Sequence, residues 1–377
     1  MQLKWLCQGM FLNAGFLFNE LFALNINSID PDSLVWEPKS DFPGGGRHHP
    51  ITFANATHGF LLSGSTYQKS YTSDFWTYEA ATDTWIDLSK SNAAFPGPPR
   101  SFGYGVSATS DCGNNKAYLG FGAGENGQML TDWWQFNMMK QTWKKLASFP
   151  GQGRRHPSMN FLELDGEIHV GLGDGYGGNY NDYWSYSIQK DAWRQLDDFP
   201  SSKRHHPFYF SINSNSYVGL GHSDGYFPFI ERDWYRYSTN NNKWSRENDF
   251  ESYALGTLET SSNIFRAKMN SQPVTTEARV AGTQFSAASS CYSNNILGFV
   301  LSGDGSDHGP METGEFHVFD ADDSIWYSLP PHPGYSRWAP GSFVLQGSRR
   351  VYFLGGYDRA QGILYSDLWT MNLDPLF

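Results

Sequence analysis

The sequence predicts an all-β fold: a six-bladed β-propeller whose last blade is closed by the N-terminal strand. Three observations predict it. An acid followed by an aromatic residue recurs five times, each time with a tryptophan 11 residues after the acid. An arginine landmark recurs six times. The chain stops before the sixth unit can supply its second tryptophan. Units recurring at a fixed period of 20–50 or so residues are the mark of a repeat architecture, in which each copy buries its apolar face only against its neighbours.

The acid–aromatic copies are Asp74-Phe75-Trp76 with Trp85, Asp132-Trp133-Trp134 with Trp143, Asp182-Tyr183-Trp184 with Trp193, Asp233-Trp234-Tyr235 with Trp244, and Glu315-Phe316-His317 with Trp326. The landmarks are Arg47, Arg100, Arg154, Arg204, Arg279 and Arg337. Between arginine and acid lies an apolar run ending in glycine-rich sequence, as in Val170-Gly171-Leu172-Gly173. Each unit therefore reads as four strands: one after the arginine, one ending at the glycines, one carrying the acid–aromatic signature, and one carrying the second tryptophan. Turn residues such as Asn240-Asn241-Asn242 separate them.

The sixth unit has Arg337, Gly355-Gly356 and Asp367-Leu368-Trp369, then ends at Phe377. Trp36 lies 11 residues before Arg47, the same gap that separates Trp143 from Arg154 and Trp193 from Arg204. Val35-Trp36 is thus expected to be the outer strand of the last blade, a closure that limits exposed strand edges. The expected domain is 33–377, with an insertion at 251–278 before blade five.

These units resemble kelch repeats, of the kind that form the central domain of galactose oxidase and many binding propellers. The resemblance covers roughly residues 35–377. A full glycine pair survives only at Gly355-Gly356. The resemblance implies a propeller, and some kelch propellers are sugar epimerases or mutarotases. Oxidase chemistry does not carry over. Cys112 and Cys291 fall in turns on the face opposite the histidines, so no cysteine is placed for a tyrosine cross-link beside a metal.

Composition narrows the function classes. Net charge is −11, which argues against a general nucleic-acid binder. Three cysteines make no disulfide framework. Residues 1–24 have the layout of a secretory signal: Lys4, an apolar stretch from Met10 to Phe18, and Ala23 at a cleavage-like position. Asn13, Asn19 and Glu20 interrupt it. Secretion and intracellular residence carry equal weight. The stretch is too short and polar for a transmembrane anchor. A sequon, Asn55-Ala56-Thr57, is compatible with export.

Up-and-down topology puts the arginine landmarks and the loops between second and third strands on one face near the axis. Three landmarks head histidine-rich tetrads: Arg47-His48-His49-Pro50, Arg154-Arg155-His156-Pro157 and Arg204-His205-His206-Pro207. The loops add Asp174, His222, Asp224, Asp304, Asp307 and His308, and His332 falls in a loop leading to this face. Eight of the eleven histidines are thereby expected on one face. Imidazoles and carboxylates converging there suit Zn, Fe or Cu, with His49, His156, His206, His222 and His308 as the ligand set. Arg47, His48, Arg100, Arg154, Arg204, His205, Arg279, Arg337, Asp174, Asp224 and Asp304 are the ligand-binding set, since arginine binds carboxylate and phosphate bidentately. The repeat position of the histidines also fits packing between blades, and that of the arginines fits pairing with an acid of their own or a neighbouring blade. The leading expectation is a recognition propeller for an anionic, sugar-like or peptide ligand. The alternatives are a metal-dependent enzyme at the same face, or a sugar epimerase or mutarotase using arginine and acid side chains for proton transfer.

Overall fold

The computed structural model describes residues 29–377 except 110–114, 225–228, 257–270 and 289–295. The signal-like residues 1–24 and all three cysteines lie outside the described residues. Six sheets, each built on four antiparallel strands, form a six-bladed propeller. From the inside outward, blade one is Ile51–Ala54, His58–Leu62, Phe75–Glu79 and Thr84–Asp87. Blade two is Tyr104–Thr109, Asn115–Gly120, Trp133–Asn137 and Thr142–Lys145. Blade three is Ser158–Leu162, Glu167–Gly171, Tyr183–Ser187 and Ala192–Gln195, and blade four Phe208–Ile212, Asn215–Gly219, Trp234–Ser238 and Lys243–Arg246. Blade five is Thr283–Ala288, Ile296–Leu301, Gly314–Asp320 and Ile325–His332. Blade six is Gly341–Leu345, Arg350–Leu354 and Leu368–Asn372, completed by Glu37–Lys39 from the other end of the chain. No helix among the described residues is long and apolar enough to cross a membrane.

The closing strand pairs antiparallel with Leu368–Asn372, Pro38 opposite Trp369. Pro38 has no N–H to donate, which an outermost strand tolerates. The ladder begins one residue after Trp36, whose ring instead packs on Phe316 and Phe353 and donates its indole N–H to the Pro330 carbonyl at 3.1 Å. The same bond recurs around the ring. Trp85, Trp143, Trp193 and Trp244 donate to the carbonyls of Ser40, Ala93, Ala147 and Asp197. Each outer tryptophan thus ties its blade to chain leaving the preceding one. The insertion contributes a strand of its own: Ser252–Ala254 pairs parallel with Ile325–His332 and makes blade five five-stranded.

The arginine landmarks are buried inside the blades. Arg100 donates to Asp132 Oδ1 and Oδ2 at 2.9 and 2.5 Å, and Arg47, Arg154, Arg204 and Arg337 hold Asp74, Asp182, Asp233 and Asp367 in the same two-pronged way. Arg279 pairs with Glu315. In four blades the acid also accepts the indole N–H of the tryptophan two residues on: Trp76, Trp134, Trp184 and Trp369. A phenylalanine face covers each guanidinium: Phe42, Phe95, Phe149, Phe199, Phe250 and Phe353 stand 4.5–5.7 Å from it. In the first four blades that residue belongs to a Phe-Pro pair five residues before the arginine, a repeat signal readable in the sequence. A charge this deeply buried is stable only with its partner in place; removing one side costs roughly 3–5 kcal/mol.

The same arginine ties down the second strand's end. Its Nη1 donates to the carbonyls of Ser63, Phe121, Leu172, Leu220 and Gly355, each directly before a glycine. Both residues of that pair have positive φ in all six blades, from Ser63-Gly64 to Gly355-Gly356. The second must be glycine: a Cβ on Gly173 would stand 2.4 Å from the Arg155 carbonyl oxygen, and one on Gly122 2.3 Å from that of Ser101. The first tolerates a side chain at the cost of a left-handed backbone. That is why only one blade retains two glycines.

Asn55 is buried, and its Oδ1 accepts the N–H groups of Thr57 and His58 at 2.9 and 2.8 Å. The sequon residue is a turn former here.

Candidate functional site

Two short rings of residues are built around the axis directly after the arginines. The first residue after each arginine bridges antiparallel to the loop that follows the glycines. The partners are His48 and Ser65, Ser101 and Ala123, Arg155 and Asp174, His205 and His222, Val280 and Asp304, Trp338 and Tyr357. The second residue after each arginine has positive φ in every blade: His49, Phe102, His156, His206, Ala281 and Ala339, at 49–65°. Backbone bonds join neighbours in this innermost ring, His49 N–H to Ala339 O, His156 N–H to Phe102 O and Ala339 N–H to Ala281 O. The kink turns the chain from the rim down into the inner strand and leaves the side chain at the axis. Three histidines, one phenylalanine and two alanines therefore meet there.

Seven of the eleven histidines form one continuous cluster. Ring centroids are 4.9 Å apart for His48 and His49, 5.0 Å for His49 and His156, 3.6 Å for His156 and His206, and 5.1 Å for His205 and His206. His205 and His222 stand at 4.9 Å and His222 and His308 at 5.0 Å. The expected eighth, His332, is elsewhere. It ends the outer strand of blade five, stacks on Phe353 at 4.2 Å and meets Ser302 Oγ at 2.9 Å. Its last-strand position turns it into the seam between blades five and six.

Within the cluster the five histidines expected as one ligand set divide in two. His49, His156 and His206 are buried, and one ring nitrogen of each lies within 4.8 Å of the other two. The Nε2 atoms of His49 and His206 are 3.0 Å apart. His222 and His308 join His205 in a second trio with the same spacing, half-buried rather than buried. His48 flanks the first trio, its Nδ1 2.6 Å from that of His49. Trp338 and Phe102 wall the first trio, with ring centroids 4.5 and 4.6 Å from His49.

The carboxylates orient the imidazoles. Asp174 Oδ1 stands 2.7 Å from His156 Nδ1, which fixes the proton on Nδ1 and aims the Nε2 lone pair inward. That Nε2 is buried with no hydrogen-bond partner among the described residues. The other oxygen of Asp174 holds Arg155. Burial pushes the Asp174 carboxyl up, but the His156 hydrogen bond and the charge of Arg155 hold it down at about 2. Asp224 is exposed and accepts both the backbone and side-chain N–H groups of Asn179, whose Oδ1 faces His205 Nδ1 at 2.9 Å. Asp304 is buried and accepts Arg359 Nε at 2.7 Å, with His308 Nδ1 3.6 Å away.

Burial holds His48, His49, His156, His205 and His206 neutral. It lowers His48 to about 4 and His205 to about 3, with neighbouring His156 adding to both. His49 and His206 fall well below the ordinary range for the same first reason, and His156 is lowered despite Asp174. Neutral imidazole is the form that binds a metal.

The six landmark arginines do not reach this face; their guanidiniums are occupied by the blade acids, five through two-pronged contacts and Arg279 through its ion pair with Glu315. Among the described residues, Arg155 and Arg359 are cations at the mouth, each about a third exposed at 35% and 33%. Arg359, Asn179, Trp338 and Phe102 went unnoticed in the sequence. Trp338 and Phe102 were findable, since they stand one and two residues after an arginine landmark. Arg359 and Asn179 sit in loops of unequal length and carry no repeat signal.

A second feature lies along the axis beyond the histidines. A cavity of about 620 Å³ runs between the inner strands, bounded at one end by His49 and Ala339 and at the other by the exposed turn residues Glu163 and Leu164. Its wall mixes apolar groups such as Met159 and Phe285 with Tyr104, Asn160, Tyr209 and Gln284. Asn160 is buried and its Oδ1 has no hydrogen-bond partner.

No protein-family model matches this chain and no curated protein matches it, so the kelch resemblance stands on the residue pattern and the six-bladed fold on the structure.

Proposed function

We propose that this protein is a metal-binding propeller: His49, His156 and His206 hold a divalent first-row ion of the Zn, Fe or Cu type at the head of the axis. The observation that carries the reading is the convergence of three buried, neutral imidazoles with ring nitrogens within 4.8 Å of one another. Nitrogens each ~2.1 Å from one ion stand about 3.0–3.4 Å apart at ordinary coordination angles, and His49 and His206 present theirs at 3.0 Å. The Asp174–His156 contact supplies the outer carboxylate that metal-bound histidines need. A packing role leaves the His156 Nε2 atom unexplained, because a buried nitrogen without a partner costs about 1–3 kcal/mol.

The test is elemental analysis of protein purified without a His tag, alongside H49A/H156A/H206A. Wild type should carry at least one equivalent of a transition metal, and the triple variant should lose it while keeping its circular dichroism. A folded triple variant with wild-type metal content sinks the reading.

The recognition reading draws support from a different place than the sequence suggested. The axial cavity falls in the size range of small-molecule sites, roughly 300–1,000 Å³. Between His49 at one end and Glu163 at the other, its polar side chains are hydroxyls and amides rather than arginines. That lining suits a neutral, partly apolar or sugar-like ligand, not an anionic one. A glycan and metabolite screen by calorimetry, repeated with Asn160→Leu, tests it; hits unaffected by the substitution place the ligand elsewhere.

A further inference from the structure

His205, His222 and His308 stand apart from the inner trio and are held by different means. His205 and His222 face each other across the two-residue bridge of Arg204–His205 with His222–Ser223. His308 comes from the neighbouring blade, at the end of the short turn Ser306–His308, with φ 55°. A non-glycine residue in that region persists only where its surroundings hold it. One nitrogen from each ring lies within 4.8 Å of the other two.

We propose that His205, His222 and His308 bind a second divalent transition-metal ion, and that this outer ion, open to solvent, is the one that meets an anionic oxygen ligand at the mouth. The word "second" rests on the reading of the inner trio; the outer geometry stands by itself. Asn179 sets the His205 tautomer. Its amide nitrogen donates to Asp224 at 2.8 Å, so its oxygen is turned to His205 Nδ1. An amide oxygen only accepts. Nδ1 therefore carries the proton, and Nε2 keeps its lone pair for the ion. Asp304, held by Arg359, lies 3.6 Å from His308 Nδ1, beyond hydrogen-bond reach, so it places a carboxylate beside His308 without fixing its tautomer. The two sets of outer groups share no residue, so each trio is oriented independently.

The difference in burial separates their roles. Three protein ligands with a fourth position open to solvent is the arrangement of catalytic rather than structural sites. The inner trio is buried, whereas all three outer histidines are partly exposed. Arg155 and Arg359 flank the cluster with their side chains about a third exposed, at 35% and 33%. Together with a metal ion they favour a carboxylate or phosphate oxygen in the open position.

The test uses the full chain, stripped with a chelator and reloaded with Co(II), whose visible spectrum reports its ligands. Bound cobalt is counted in wild type, in H222A/H308A and in H49A/H206A, with H222Q/H308Q as a second outer variant in case alanine disturbs folding. The expected result is two ions in wild type and one in each variant. Inorganic phosphate should shift the spectrum of wild type and of H49A/H206A, but not that of H222A/H308A. Outer variants that keep the wild-type cobalt content overturn the second site and leave the inner one standing. A single ion lost only with the outer substitutions supports the outer site and overturns the inner reading. No bound ion overturns both, and a wild-type spectrum indifferent to phosphate overturns the assignment of the ligand class.

Discussion

Asp320 is a buried carboxylate without a countercharge among the described residues. Its Oδ1 accepts the Asp322 N–H at 3.0 Å, while Oδ2 is buried with no partner. Burial pushes its pKa up to about 6, and neighbouring Asp323 and Asp322 add to that. The folded value exceeds the unfolded one, so Asp320 supports folding while protonated and loses that support as pH rises through about 6. Asp320→Asn should therefore stabilise the fold at pH 7.5 by up to about 3 kcal/mol, at ~1.4 kcal/mol per pKa unit, read as a higher melting temperature. The gain should vanish near pH 4. An equal gain at both pH values would mean that charge is not the cause. At the candidate site the corresponding residue is Asp174. Asp174→Asn removes the carboxylate that orients His156 and should weaken zinc binding about 10- to 100-fold, read by competition with a chromophoric chelator at pH 7. Unchanged affinity would separate Asp174 from the metal site.

At the scale of elements, the decisive feature is the strand that closes the ring. Glu37–Lys39 covers the edge of Leu368–Asn372, and Trp36 packs into the seam with blade five. A chain beginning at Ile29 should melt as the full chain does. One beginning at Ser40 should melt several degrees lower and aggregate through the bared edge. Coincident melting curves for the two would remove the closing strand's contribution. The closure was legible because tryptophan and arginine keep a constant spacing from blade to blade. The fate of the arginines was less so. Each stands 27–36 residues from its acid along the chain, and a repeat position by itself does not say whether a guanidinium faces solvent or its own blade. The fifth strand of blade five, Ser252–Ala254, carries no repeat signature, and its parallel pairing depends on the neighbouring surface of Ile325–His332.

For the whole molecule, acid should be the weak direction. His169, His317 and His332 are buried neutral within the blades, away from the axial cluster. Burial lowers all three, His332 to about 3. Their folded values lie below the unfolded one, so the unfolded chain binds more protons. Their contribution is complete above about pH 6.5 and declines as pH falls toward 3. Melting temperature in metal-free buffer should thus hold from pH 8 to 7 and drop progressively below 6.5. A flat profile down to pH 4 would show that these imidazoles titrate alike in both states.

The sequence by itself determined the number of blades, the order of strands, the closing of the ring and the face on which the histidines gather. Those follow from spacing, because a repeat that buries its surface only against neighbours must keep the same residues at the same steps. Tertiary structure alone decided which side chains meet. It drew the arginines inward to the blade acids, split the expected histidine set into a buried trio and a half-exposed one, and brought Asn179 and Arg359 to their edges. The reason is physical: contacts around an axis join residues of different blades. Their distance depends on backbone kinks and loop paths that no local pattern encodes.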